Sequence, residues 1–232
     1  MDTVAKKNTG TELLADELAQ KIRENIQTGK YPPDSRLTVR TLCEEFGTSE
    51  TPVKQALNQL VTTGLVLSIP KCGMKVASFR FEDMKENLEA RLMIELYCAG
   101  AAIERVKRDE SFVTELMRIL TVTNEEYARC AGDFTKERFN QLHVHDSMLH
   151  VQLVSCCGNK QILHMYQQLK AHSMMFVGFD AHTPETLLGV NSQHTEIVEA
   201  LLLCDEEAAK KAIRRHIYST LNIYRNFEQR KE

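Results

Sequence analysis

Four residues in the C-terminal half of the chain, Asp146, His150, His194 and His216, are of types that ligate transition metals. Asp146 and His150 stand four apart, so on a helix both side chains leave the same face. His194 and His216 fall on two later helical segments, 22 residues from one another. A helical bundle is a natural place to bring such side chains to one inward point. Three imidazoles and one carboxylate suit Zn²⁺, Ni²⁺ or Mn²⁺, with positions left open for water or a ligand. Each histidine taken alone also fits a helix cap or an ordinary interior hydrogen bond. With 8 His and 32 Asp+Glu in the chain, spacing by itself does not decide between these readings. Arg91 is a further candidate, because its fork can hold a carboxylate in bidentate fashion. Glu95, four residues on and on the same helix face, could equally be its partner. His143, His145, His164, His172 and His182 fall outside the ligand pattern and read as structural or solvent-exposed.

The elements that must position these residues are helices. After Phe81 no alternating strand pattern occurs, and six helical segments are expected at about 82–108, 110–130, 134–157, 160–181, 185–203 and 205–228. The breaks carry suitable signals at Asp109, Gly132-Asp133, Gly158-Asn159, Thr183-Pro184 and Cys204-Asp205. Segments of this length favour an antiparallel bundle.

The N-terminal part is organised differently. Leu14, Leu18, Ile22 and Ile26 recur every four residues and predict an amphipathic helix over 11–28, ended by Gly29. Val39 to Phe46 reads as a short second helix closed by Gly47. Ser49 is a suitable N-cap for a third, with Pro52 in its first turn, where a missing N–H costs nothing. Val53, Ala56, Leu57 and Leu60 face inward, leaving Glu50, Thr51, Lys54, Gln55 and Asn58 outward. Residues 65–69 and 75–77 flank the turn Pro70-Lys-Cys-Gly73 as a small hairpin. Helix, helix-turn-helix and hairpin make a winged helix. The expected fold is mostly α, with a winged helix-turn-helix over 1–79 and an antiparallel all-helical bundle over 80–232.

Composition sets wide bounds. The 43% hydrophobic and 26% charged fractions are those of an ordinary globular chain, and no apolar run approaches the about 20 residues that span a bilayer. The N-terminus lacks the apolar stretch of a signal peptide, so a cytoplasmic location is expected. Seven cysteines without Cys-x-x-Cys spacing suggest free thiols in a reducing compartment. The net charge is −3, yet residues 1–80 carry 11 Lys/Arg against 9 Asp/Glu. A weakly basic N-terminal unit on an acidic remainder is compatible with DNA contact through local geometry, without a broad electrostatic footprint.

The winged-helix residues resemble the GntR family of bacterial transcription regulators. The match runs through Pro33-Asp-Ser-Arg-Leu37, Gly47-Thr-Ser49, Thr51-Pro-Val-Lys-Gln-Ala-Leu57, Gly64-Leu-Val66 and Pro70-Lys-Cys-Gly73. The bundle is similar to the FCD, or FadR-type, branch. The motifs here are Arg91-x-x-x-Glu95, Asp146-x-x-x-His150, Gly158-Asn159, His194-Thr-Glu-Ile-Val-Glu-Ala200, Asp205-Glu-Glu-Ala-Ala209 and His216. The resemblance implies DNA contacts at Arg40, Ser49, Glu50, Thr51 and Lys54, with Lys71 and Gly73 at the wing. It implies a metal held by Asp146, His150, His194 and His216, and Arg91 facing a small organic acid. Glu50 stands where the family has an arginine; a carboxylate there accepts from a cytosine amino group but repels phosphate. The target sequence should therefore differ from the usual family operator.

The reading that follows is a homodimeric regulator, a repressor on family habit, that binds a pseudo-palindromic operator in double-stranded DNA and responds to a small carboxylate at the metal. The alternative from another class is a metal-dependent hydrolase using the Asp/His site to activate water. No His-Glu-x-x-His motif is present to supply its general base. A protein-interaction module whose winged helix has lost DNA binding is the third possibility.

Overall fold

The computed structural model describes residues 8–62, 64–70, 73–78, 81–173 and 178–230. The chain divides into two compact units, Met1–Ser78 and Phe79–Glu232.

In the first unit, α1 (Asn8–Gln27) lies on α3 (Glu50–Thr62), with α2 (Val39–Phe46) against α3. Leu18, Ile22 and Ile26 of α1 are buried, joined by Ala15 and Ala19, whereas Leu14 is 38% exposed. The reason is geometric: steps of four residues advance about 40° round a helix of 3.6 residues per turn, so the end of a four-residue stripe drifts off the buried face. Thr38 caps α2, its Oγ1 accepting from the Thr41 N–H at 3.2 Å. Gly47 ends α2 at φ 62, a left-handed conformation that a residue without Cβ adopts freely. On α3, Pro52, Val53, Ala56, Leu57 and Leu60 are buried, an i, i+3, i+4, i+7 stripe.

The wing strands are β2 (Val66–Ile69) and β3 (Gly73–Val76), antiparallel, with Val66 opposite Val76 and Ile69 opposite Gly73. A third strand, β1 (Arg36–Leu37), pairs on the far side of β3 and gives the order β1-β3-β2. Two residues are too few to show alternation, so β1 has no signature in the sequence. Asp34, just before it, has φ 64. Its carboxylate meets Lys75 Nζ at 2.6 Å and its N–H donates to the Val76 carbonyl, so the turn is fastened to the wing.

The second unit contains α4 (Phe81–Val106), α5 (Glu110–Gly132), α6 (Lys136–Ser155), α7 (Lys160–Ser173), α8 (Gly178–Ala181), α9 (Pro184–Leu202) and α10 (Glu206–Gln229). The expected helix over 160–181 is described as two, α7 and α8; residues 174–177 lie outside the described residues. Asp109, Thr135 and Asp205 are N-caps, and Thr183 forms a capping box with Thr186 ahead of Pro184. These caps fix where each helix begins, and hence which residues face inward several turns later. α10 packs on α9 and α4, α5 on α9 and α6, and α4 on α6 and α7. A common core runs through Leu88, Ala102, Leu116, Leu153, Val198 and Ile213. Each such buried Leu, Val or Ile side chain contributes about 1.5–3 kcal/mol. Among the described residues, no helix is long and apolar enough to cross a membrane.

Candidate functional site

α6, α9 and α10 converge on a polar centre inside this core. Asp146 and His150, one turn apart on α6, are each 2% exposed; His194 on α9 is 0% and His216 on α10 is 3% exposed. One ring nitrogen from each of His150, His194 and His216 lies within 4.8 Å of the others. His150 Nε2 is 3.3 Å from His194 Nε2, which is 3.3 Å from Asp146 Oδ1. Two atoms bound to one ion at about 2.0–2.1 Å in a tetrahedral site stand about 3.3 Å apart. The fold thus brings three of the four residues singled out in the sequence, His150, His194 and His216, to a spacing a metal ion could bridge, with Asp146 beside His194.

Burial sets the protonation of two of these rings. Burial lowers the His194 pKa to about 4, against the opposing pull of Asp146. Burial also holds His216 well below the ordinary imidazole value, with the other two histidines adding to the effect. Both rings are therefore neutral at neutral pH and carry a lone pair. The Nδ1 atoms of His194 and His216 are buried without a hydrogen-bond partner. Unsatisfied buried polar atoms cost about 1–3 kcal/mol each.

Glu95 on α4 organises the site from behind. Burial works to raise its pKa, but the charges of His150 and Arg91 overcome this and hold the carboxyl well below its usual range. As a carboxylate it can only accept hydrogen bonds. Tyr166 donates its hydroxyl proton to Oε1, and Arg91 gives the same oxygen Nε at 3.3 Å and Nη2 at 3.1 Å. His150 Nδ1 lies 3.1 Å from Oε2 and must be the donor. That leaves His150 Nε2 facing His194, the arrangement by which an outer carboxylate orients a metal-binding imidazole. Tyr127 on α5 performs a similar service for Asp146, donating to Oδ1 at 2.7 Å.

Arg91 is 1% exposed. It lines a cavity of about 10 Å³ together with Tyr127, His143, Asp146, His182 and His216, room for about one water molecule. His182 is held with its Nδ1 2.6 Å from the Gly178 carbonyl, so the ring nitrogen donates there. Gly178 must be small: a Cβ at this position would come within 2.7 Å of the Phe139 ring. Sequence reasoning left Tyr127, Tyr166, His143 and His182 outside the site and treated Glu95 only as a possible partner for Arg91. The Arg91-x-x-x-Glu95 spacing was the one available signal for Glu95; the two tyrosines have no spacing relation to the histidines.

In the first unit, Arg40, Ser49, Glu50, Thr51, Lys54 and Gly73 are all exposed, and Lys71 lies outside the described residues. Glu50, Thr51 and Lys54 occupy the first turns of α3, on the side away from its buried stripe. Lys54 Nζ is 2.6 Å from Glu50 Oε2, and Arg40 Nε is 3.0 Å from Glu44 Oε1. Both cations of this face are thus already paired, each with a carboxylate four residues away on its own helix. Gly73 begins β3 with φ 89.

Residues 14–76 match the profile of bacterial regulatory proteins of the gntR family, and residues 86–219 match that of the FCD domain. The HTH-type transcriptional repressor GlaR of Escherichia coli K12 is 23% identical over 206 residues, 87% of this chain and 91% of that protein. A probable D-xylose utilization operon transcriptional repressor of Paenarthrobacter nicotinovorans is 23% identical over 224 residues, 95% of this chain and 92% of that protein. Among solved structures, E. coli McbR/YncC superposes with a TM-score of 0.69 at 18% identity, covering 94% of this chain and 99% of that one.

Proposed function

From the premise that the chain belongs to the gntR family and carries its FCD domain, and is thus a DNA-binding transcriptional regulator, we propose a metal-dependent repressor whose operator binding responds to a small carboxylate. Its relatives are transcriptional regulators, not enzymes, which sets aside the hydrolase alternative. In this reading residues 1–79 bind DNA, and residues 80–232 hold metal and effector and pair two chains.

The observation that carries the proposal is the burial of three histidines with one ring nitrogen each within 4.8 Å of the others, and Asp146 beside His194. Asp146, His150, His194 and His216 would hold Zn²⁺, Ni²⁺ or Mn²⁺. A divalent ion there supplies a fixed positive charge and open positions for a carboxylate oxygen. Glu95 fixes the His150 ring and Tyr127 fixes Asp146. Arg91 adds positive charge and whichever N–H groups its contacts with Glu95 leave over. A cavity of about 10 Å³ admits an organic acid only if the side chains around it move. Such a ligand has different affinity for the closed and opened arrangements, which is the condition for coupling to DNA binding.

On the DNA side, α3 would enter the major groove by its first turns. Ser49, Thr51 and Lys54, with Arg40 from α2, then reach the duplex, and Lys71 and Gly73 meet it from the wing. Glu50 accepts from a cytosine amino group. Pairing of two chains would set two such helices on a pseudo-palindromic site.

The test is an anisotropy titration with duplexes selected from a random pool, using the metal-loaded protein with and without citrate, succinate, lactate or gluconate. At least one acid should shift the operator Kd by about 5–150-fold, the usual span of such coupling. The shift should vanish in His194→Ala. Selection of no duplex, or no response to any acid, would contradict the proposal.

A further inference from the structure

α4 has two sides. Inward it carries Arg91 and Glu95, both buried. Outward it carries Met93 and Tyr97, which are 66% and 71% exposed. Among the described residues these are the most exposed large apolar side chains in any helix. They stand one turn apart, and half-buried Ala90 extends the stripe by the three- and four-residue steps along which one helix packs on another. α6, α7, α9 and α10 all pack on α4 and leave this side uncovered.

Single exposed apolar residues are ordinary; what sets this stripe apart is the charge at its two ends. Before it come Glu82, Asp83, Glu86 and Glu89, with Lys85 the only base. After it come Arg105, Lys107 and Arg108, with Glu104 and Asp109. At about 100° per residue, Glu82, Glu86, Glu89, Glu104, Lys107 and Arg108 all fall within about 60° of the Met93–Tyr97 line. Glu82 and Glu86 are exposed, and Glu89 is held only at 3.8 Å by Lys85. Lys107 and Arg108 share one acid, Glu104, at 2.9 and 2.8 Å. The stripe thus runs from an acidic end to a basic one.

We infer that a second copy of this chain docks on this stripe, with α4 antiparallel to the partner's α4 about a two-fold axis close to Glu95. The inference rests on the homodimer reading above and names the face that pairs. Antiparallel pairing sets Met93 beside the partner's Tyr97, and sets the acidic end of each helix beside the basic end of the other. Parallel pairing would lay acid on acid and base on base, which electrostatic complementarity disfavours. One patch then serves both copies, as a two-fold interface requires. The pairing face and the Arg91–Glu95 support of the metal centre are two sides of the same turns of α4.

The test is size-exclusion chromatography with light scattering on a dilution series of the full chain. The wild type should be a dimer. Met93→Lys together with Tyr97→Lys should raise the dimer Kd by about 30-fold or more. Glu82→Lys with Glu86→Lys makes both ends of α4 basic, and Lys107→Glu with Arg108→Glu makes both acidic. Each pair should weaken the dimer by about tenfold or more. All four charge changes in one chain should restore the wild-type Kd, a recovery that unfolded chains cannot imitate. A monomeric wild type would contradict the homodimer reading itself. A wild-type dimer that none of these variants weakens, or charge variants that stay weak when combined, would overturn this surface alone.

Discussion

Arg40–Glu44, Glu50–Lys54 and Arg91–Glu95 share one sequence spacing and differ in everything else. The first two lie on the exposed faces of α2 and α3, where the Arg40 and Lys54 side chains are 88% and 56% exposed. The third lies at the centre of the bundle, with side chains 1% and 0% exposed. Exposed pairs exchange water for a screened partner and gain little. The buried pair has lost its water altogether, so each charge depends on the other and on His150 and Tyr166. The same spacing therefore makes an adjustable surface at one end of the chain and a rigid scaffold at the other.

The sharpest break of this comparison is to remove one partner from each pair. Arg91→Leu leaves the Glu95 charge buried and short of its cation and should cost about 3–5 kcal/mol in chemical denaturation. Glu50→Ala should leave the denaturation midpoint unchanged. Similar losses from both would show that the two environments do not differ in the way described.

A smaller effect separates scaffold from ligand. Glu95→Gln keeps the shape but removes the charge that orients His150, and metal affinity should fall about 10–100-fold in competition with a chelator. Unchanged affinity would mean that His150 needs no outer carboxylate.

The same site should make the metal-free protein acid-sensitive. The His194 pKa is about 4 in the fold against 6.5 ordinarily. Below 6.5 the unfolded chain binds a proton that the folded one refuses, so stability declines as pH falls from 6.5 towards 4. Denaturation midpoints of the stripped protein across that range should show this decline, and it should flatten in His194→Ala.

The smallest effect belongs to the surface. In Glu50→Ala, Lys54 loses its 2.6 Å partner and is free for phosphate. The slope of log K against log salt should steepen by about 1, with weaker discrimination at the base pair that Glu50 is proposed to face. No change in slope would mean that Lys54 does not reach the backbone.

Legibility in the sequence followed the same division. The bounds of α2 and the inward stripe of α3 were readable because turn and cap residues act locally. The helix breaks at Asp109, Thr183 and Asp205 were readable for the same reason. Leu14 was misplaced because a four-residue repeat is not quite the helical period. β1 was missed because two residues form a strand only through what β3 offers them. In the site, the resemblance supplied the four candidate ligands, whereas Tyr127 and Tyr166 entered through helix packing that no local pattern records. Glu95 was visible as a partner for Arg91, but nothing in the spacing distinguishes a buried pair from the exposed ones at Glu44 and Glu50.

The most direct measurement is the metal content of the full chain purified without chelators, beside His150→Ala and His194→Ala. The account predicts about one transition-metal ion per chain, as for a single site with these donors, lost in both variants. A protein that carries no metal and takes up none when titrated with Zn²⁺, Ni²⁺ or Mn²⁺ would contradict it.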